Sequence, residues 1–153
     1  MDSNHAELEA VRATVTRLLH AIDARRWDEV APLLADEVTT DYTSLFGGDV
    51  QRQPGPALAD AWRGLLTPLR ATQHLLGPID VQVRGAAATA ECHVRGHHFA
   101  PGVKGGGEWM VAGHYVFTLV STRGAWRIAS VTLQTYYQTG NERLLAEAAQ
   151  GAG

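Results

Sequence analysis

The hydrophobic period of this chain changes once, near residue 70, and that change limits the folds open to it. Over residues 3–24 the apolar side chains Leu8, Val11, Val15, Leu18, Leu19 and Ile22 recur at spacings of three and four. That spacing lays one buried stripe along an amphipathic helix. A second, shorter helix is expected over residues 27–34, where Trp27, Val30, Leu33 and Leu34 repeat; Pro32 is compatible with it only within its first turn or two. A strand follows over 38–42, then a turn at Gly47-Gly48-Asp49. After Pro54-Gly55-Pro56 comes a third helix carrying Leu58, Trp62, Leu65, Leu66 and Leu69 on one face.

Beyond that point the pattern is extended: segments around 73–76, 79–83, 86–99, 108–120 and 125–137, separated by glycine-bearing turns. Residues 141–149 read as a short terminal helix, Gly151-Ala152-Gly153 as a frayed end, and 101–107 as a mobile hairpin loop, a rim or lid over a pocket. Helices first and strands afterwards imply an α+β fold, three N-terminal helices packed on one face of a curved antiparallel sheet, rather than a βαβ repeat. At 153 residues and 45% hydrophobic, the chain fits one domain, residues 1–153, with a real core.

Charge and composition narrow the partners. A net charge of −3 with dispersed basic residues leaves no footprint for a nucleic-acid backbone. No apolar run approaches the roughly 20 residues that span a bilayer, and the N-terminus lacks a secretory pattern, so neither nucleic acid nor membrane is expected as a partner and a cytoplasmic location is. Cys92 is the one cysteine, read as a small buried hydrophobe. Seven histidines raise the question of a metal, but none pair at i, i+4 on a helix, and the adjacent His97 and His98 point to opposite faces of a strand; no metal site is expected.

The candidates for chemistry are few. Asp23 ends the first helix beside its apolar stripe, where it is either a solvated or capping carboxylate or the partner of a buried cation or imidazole. His74, in Thr72-Gln73-His74-Leu75-Leu76, follows the third helix in an extended segment; oriented by a carboxylate it would be a competent general base near neutral pH. In the long strand the small and apolar set Ala88, Ala90, Cys92, Val94, Gly96 and His98 should face inward, with Thr89, Glu91, His93, Arg95 and His97 outward; a bulge would exchange the roles of His97 and His98. Tyr42, at the end of the first strand, could donate its phenol to a substrate oxygen. Tyr115 shares an inward face with Phe117 and Leu119. Tyr115, Phe117, Val94 and Trp62 are the expected substrate-binding residues.

Taken in order, Ile22-Asp23-Ala24-Arg25-Arg26-Trp27-Asp28, Thr40-Asp41-Tyr42-Thr43-Ser44, Ala71-Thr72-Gln73-His74, Val94-Arg95-Gly96-His97-His98 and Gly124-Ala125-Trp126-Arg127-Ile128 resemble the SnoaL-like branch of the nuclear-transport-factor-2-like superfamily that contains scytalone dehydratase. The resemblance implies a cone-shaped α+β barrel, a hydrophobic pocket at its open end, an Asp/His pair and no cofactor. It assigns Asp23 and His74 to that pair, His98 to a second pocket histidine, and Tyr42 to polarising a substrate carbonyl, directly or through water. It further implies a lyase or isomerase working by proton abstraction beside a carbonyl, chiefly dehydration, on a small hydrophobic, polyketide-like or aromatic substrate. A polyketide cyclase closing an intramolecular aldol, or a binding module without catalysis, are the other functions open to this fold, and a homodimer or homotrimer is the expected assembly. Ile22 stands where a tyrosine is usual, Tyr115 where an asparagine is, and Gly113 where a serine is. The arginine of the related dehydrochlorinases is missing near Val131 and Thr132, which favours dehydration, cyclisation or isomerisation over dehalogenation.

Overall fold

The computed structural model describes residues 2–151. Helix α1 (Asp2–Asp23) buries Val11, Val15, Leu18, Leu19 and Ile22, the stripe expected from its spacing. The second helix expected over 27–34 is instead two 3₁₀ turns, Trp27–Glu29 and Ala31–Leu33, with Leu34 already extended. Pro32 explains the difference: it lacks an N–H, and its ring blocks continuation of an α-helix through this short segment.

Strand β1 (Leu34–Asp41) leads into a one-turn helix α2 (Thr43–Phe46) and a short strand β2 (Gln51–Pro54), neither of which was expected. Helix α3 (Gly55–Leu66) buries Leu58 and Leu66 but leaves Leu65, expected on the same face, 45% exposed at the edge of a cavity. The rest is sheet: β3 (Ala71–Leu76), β4 (Asp80–Arg84), β5 (Ala87–Phe99), β6 (Glu108–Thr122) and β7 (Ala125–Gly140). Helix α4 (Leu144–Gly151) begins later than the expected 141, and the expected frayed end at 152–153 lies outside the described residues.

The strands form one curved sheet in the order β2-β1-β7-β6-β5-β3, with β4 sharing the β5 edge with β3. The expected curved antiparallel sheet is antiparallel at every pairing but one and so mixed, because β1 lies parallel to β7. Parallel neighbours need a long crossover, and here most of the chain supplies it. The cone is also unclosed: β2 and β3 are free edges.

Curvature comes from irregular pairing of β6 with β7, where the register shifts at Ala112/Gly113 and again at Thr118/Leu119. Gly113 has to be glycine there, since a Cβ would collide with the carbonyl oxygen of Gln134. The helices and the inward residues Ala90, Cys92, Val94, Phe117, Leu119, Ile128 and Val131 enclose the core. At its open end the core gives way to a cavity.

Candidate active site

The cavity, of about 260 Å³, lies between α1, α3 and the concave face of the sheet. Leu18, Leu19, Ile22, Leu58, Phe117 and Leu133 make its walls apolar, and Phe46, Leu65 and Leu145 stand around it from α2, α3 and α4. Phe46 is 58% exposed despite its size, as a residue at an open mouth would be. Polar groups are sparse and convergent: Thr40, Tyr42, Gln53, His74, His98 and Tyr115. Among the described residues no lysine or arginine lines it.

His74 and Asp23 meet because two ties join the end of α1 to the start of β3. Just past the helix, Arg25 takes a left-handed conformation (φ 59°) and its guanidinium donates to the carbonyl of Leu69 at 2.5 Å. The second tie is Asp23 itself. Its Oδ2 accepts the backbone N–H of His74 at 2.7 Å, while Oδ1 accepts the Thr72 hydroxyl at 2.9 Å and lies 2.7 Å from His74 Nδ1.

Strand alternation makes this possible. In the β3–β5 pairing, His74 lies opposite Gly96 and Thr72 opposite His98. The His74 N–H is directed to the carboxylate beyond the free edge, and the Thr72 and His74 side chains share the inward face. A carboxylate at a helix C-terminus opposes the helix dipole, so these donors offset an otherwise unfavourable placement.

Burial raises the Asp23 carboxyl pKa, but the hydrogen bonds and charge of His74 together with the Thr72 hydroxyl outweigh it, and the net value lies below that of an ordinary aspartate. An ionised carboxylate only accepts, so Nδ1 of His74 carries the proton and donates it. Nε2, on the opposite edge of a ring that lines the cavity, is left with a free lone pair.

The pairing of β5 is unbroken along its length with β6, so no bulge exchanges the histidines: His98 lines the cavity and His97 is exposed on the outer face. His98 Nδ1 is 3.3 Å from the carbonyl of Trp109, and the two rings lie 4.4 Å apart, tilted by 33°. The carbonyl fixes the proton on Nδ1. Burial, then the electrostatic influence of the neighbouring His74, brings the His98 pKa down to about 4, so the ring is neutral at pH 7. His74 and His98 stand edge to face with centroids 6.0 Å apart. Between them Gly96 leaves room: a Cβ would lie 3.5 Å from each ring.

Tyr42 is partly buried at the cavity wall and Tyr115 is 7% exposed. Burial pushes both phenols up, which keeps them protonated donors. Trp62, Phe117 and Val94 also line the cavity. Seven of the eight expected site residues therefore border one space, with Asp23 behind His74.

The 101–107 loop, expected as a rim or lid, contributes nothing to this cavity. The Asn141 amide staples it down by donating to the carbonyls of Lys104 (3.0 Å) and Gly106 (2.9 Å). Thr72, Trp109 and Leu145 belong to the site or its support and were not anticipated. For Thr72 the signal was present, since Thr-x-His in a strand puts both side chains on one face. Among the described residues no cluster of three or more His, Cys, Asp or Glu is arranged to hold a metal ion, and no helix is long and apolar enough to cross a membrane.

Comparison with known proteins gives one family and one fold. A model of the SnoaL-like domain matches residues 5–132. No curated protein matches the chain by sequence. Among solved structures, the Kfla4162 protein of Kribbella flavida is 26% identical, with a TM-score of 0.87, over 94% of this chain and 99% of that one. A candidate scytalone dehydratase of Novosphingobium aromaticivorans is 21% identical, with a TM-score of 0.79, over 92% and 91%. A hexachlorocyclohexane dehydrochlorinase of Novosphingobium barchaimii is 16% identical, with a TM-score of 0.74, over 90% and 92%.

Proposed function

The chain belongs to the SnoaL-like domain family, and from that premise we propose that it is a cofactor-independent lyase or isomerase that removes a proton from a carbon beside a carbonyl. The observation that carries the reading is the 2.7 Å contact of His74 Nδ1 with Asp23 Oδ1, which turns the other ring nitrogen toward an apolar cavity. Dehydration of a small, hydrophobic, polyketide-like or aromatic carbonyl compound is the favoured reaction.

The roles follow from the chemistry. His74 Nε2 takes the proton, and Asp23 stabilises the imidazolium that forms. Tyr42 donates to the oxygen on which enolate charge develops. His98, neutral and with its proton committed to Trp109, presents a lone pair and accepts a hydrogen bond from a substrate hydroxyl. A ring in that state is a poor acid, so His98 is not the group that protonates the leaving hydroxyl. The proton gained by His74 is then the one delivered to the departing hydroxyl, and water leaves as the enolate collapses.

An apolar cavity of this size suits a one- or two-ring substrate. Intramolecular aldol closure would use the same base and differ only in the electrophile.

Exchange of the proton beside the carbonyl in D2O, followed by NMR over a panel of aromatic and polyketide-like hydroxyketones, reads the first step whatever comes after it. His74→Ala should lower the exchange rate by roughly 10²–10⁴-fold with the fold intact. Ligands that bind the wild type but never exchange would replace this reading with that of a binding module.

A further inference from the structure

The carboxylate of Asp23 offers about four lone-pair sites, and the protein fills three. Two donors come from His74. The third comes from Thr72, which is 8% exposed and has no part in the cavity wall. Its hydroxyl does not act on an idle atom. It donates to Oδ1, the same oxygen that His74 Nδ1 approaches.

We propose that Thr72 is a positioning residue: its hydroxyl sets the orientation and acceptor strength of Asp23 Oδ1, and through it the proton held on His74 Nδ1. The inference rests on the general-base reading of His74.

Two donors sharing one oxygen divide its electron density, so each bond is weaker than it would be alone. The hydroxyl therefore moderates the pull of the carboxylate on the imidazole. It also fills the Oδ1 lone pair that a water would otherwise take at the free edge of β3, and it resists rotation of the carboxylate about Cβ–Cγ. Burial makes each of these effects count, because an oxygen screened from water answers to its fixed partners.

A valine in place of Thr72 keeps the branched shape and the packing while removing the donor. A purely structural threonine would show its loss only in stability. The lowered pKa of Asp23, to which this hydroxyl contributes, agrees with a donor acting on the ionised carboxylate.

The measurement is the low-field proton resonance of His74 Nδ1–H, compared in the wild type, Thr72→Val and Thr72→Ser. Thr72→Val should move the resonance further downfield as Oδ1 becomes the stronger acceptor, and Thr72→Ser should restore the wild-type position. With a substrate in hand, Thr72→Val should lower kcat by roughly tenfold and leave KM unchanged, the pattern of a misplaced base and not of lost binding.

A Thr72→Val resonance that coincides with the wild type would overturn the proposal, and so would a serine variant that behaves like the valine one. Thr72→Ala gives the same comparison should the valine variant not fold. The resonance does not depend on turnover: if no carbonyl compound exchanges its proton with the wild type, the general-base reading fails while the role of Thr72 is still decided.

Discussion

Among the described residues there are two histidine–carboxylate contacts, one on each face of the sheet. Inside, His74 meets Asp23 at 2.7 Å; outside, His114 Nε2 meets Glu91 Oε1 at 3.1 Å, with the His93 and Tyr136 rings nearby. The side chains of the inner pair are 10% and 19% exposed, those of the outer pair 21% and 43%. Asp23 holds three protein donors, and Glu91 holds the one from His114. The inner imidazole borders an apolar cavity, which the outer one does not. A short contact between an imidazole and a carboxylate is therefore not what makes a site; it takes a carboxylate that cannot turn and a free ring nitrogen with space in front of it.

The hardest blow to that contrast comes from Asp23→Asn. An amide has one oxygen for three donors, and its NH₂ cannot face Nδ1–H. The imidazole is then driven to the other tautomer, with its proton on the nitrogen proposed as the base. Proton exchange should fall by on the order of 10³–10⁴-fold, the scale on which a wrong tautomer disables a comparable histidine. Stability should fall by about 1–3 kcal/mol for the buried donors left unpaired, read as a shift of the urea midpoint. Retention of more than a tenth of the exchange rate would remove Asp23 from the mechanism.

His98 tests burial in the same cavity, because desolvation is the largest cause of its lowered pKa and no carboxylate is bonded to its ring. Its pKa of about 4 in the fold compares with 6.5 when free. Between those values the unfolded chain binds a proton that the folded one does not, so stability rises with pH. Falling from pH 6.5 to 4, the protein should lose on the order of 3 kcal/mol from this residue. Below pH 4 the loss from His98 levels off, as the folded state takes up the proton too. Asp23 acts lower, its contribution being present above the ordinary aspartate range and lost as pH falls through its depressed value. Urea titrations of the wild type and His98→Gln at several pH values separate the two: the decline between pH 6.5 and 4 should flatten in the variant. An equal decline in both would place its origin elsewhere.

What the sequence discloses about these regions follows from which interactions are local. The α1 stripe and the inward set of β5 are local periodicities, and both stand in the structure as read. Asp23 and His74 are 51 residues apart, and their meeting was legible only through resemblance. The parallel contact of β1 with β7 has no local signature; it arises when the sheet curls and depends on strands about 90 residues apart. Trp109 was missed for a similar reason: nothing near it in the chain announces that register places it opposite His98. The failed helix at 27–34 differs, since Pro32 gave a visible warning and a 3₁₀ path satisfied the same apolar residues.

The smallest effect belongs to the outer pair and gives the comparison its control. Glu91 is too exposed for its contact with His114 to add more than a few tenths of a kcal/mol. Glu91→Gln keeps a side-chain oxygen able to accept from Nε2, so a urea midpoint should move by less than about 0.5 kcal/mol and exchange should not change. One atom complicates this expectation: Nδ1 of His114 is buried with no partner. If Nδ1 is the unprotonated nitrogen, Nε2–H donates to Glu91 and an unpaired acceptor is all that is buried, which costs less than an orphaned donor. A drop of 2 kcal/mol or more in Glu91→Gln would mean that the outer contact depends on the charge of the carboxylate, and a strongly coupled pair would then not be peculiar to the cavity side of the sheet.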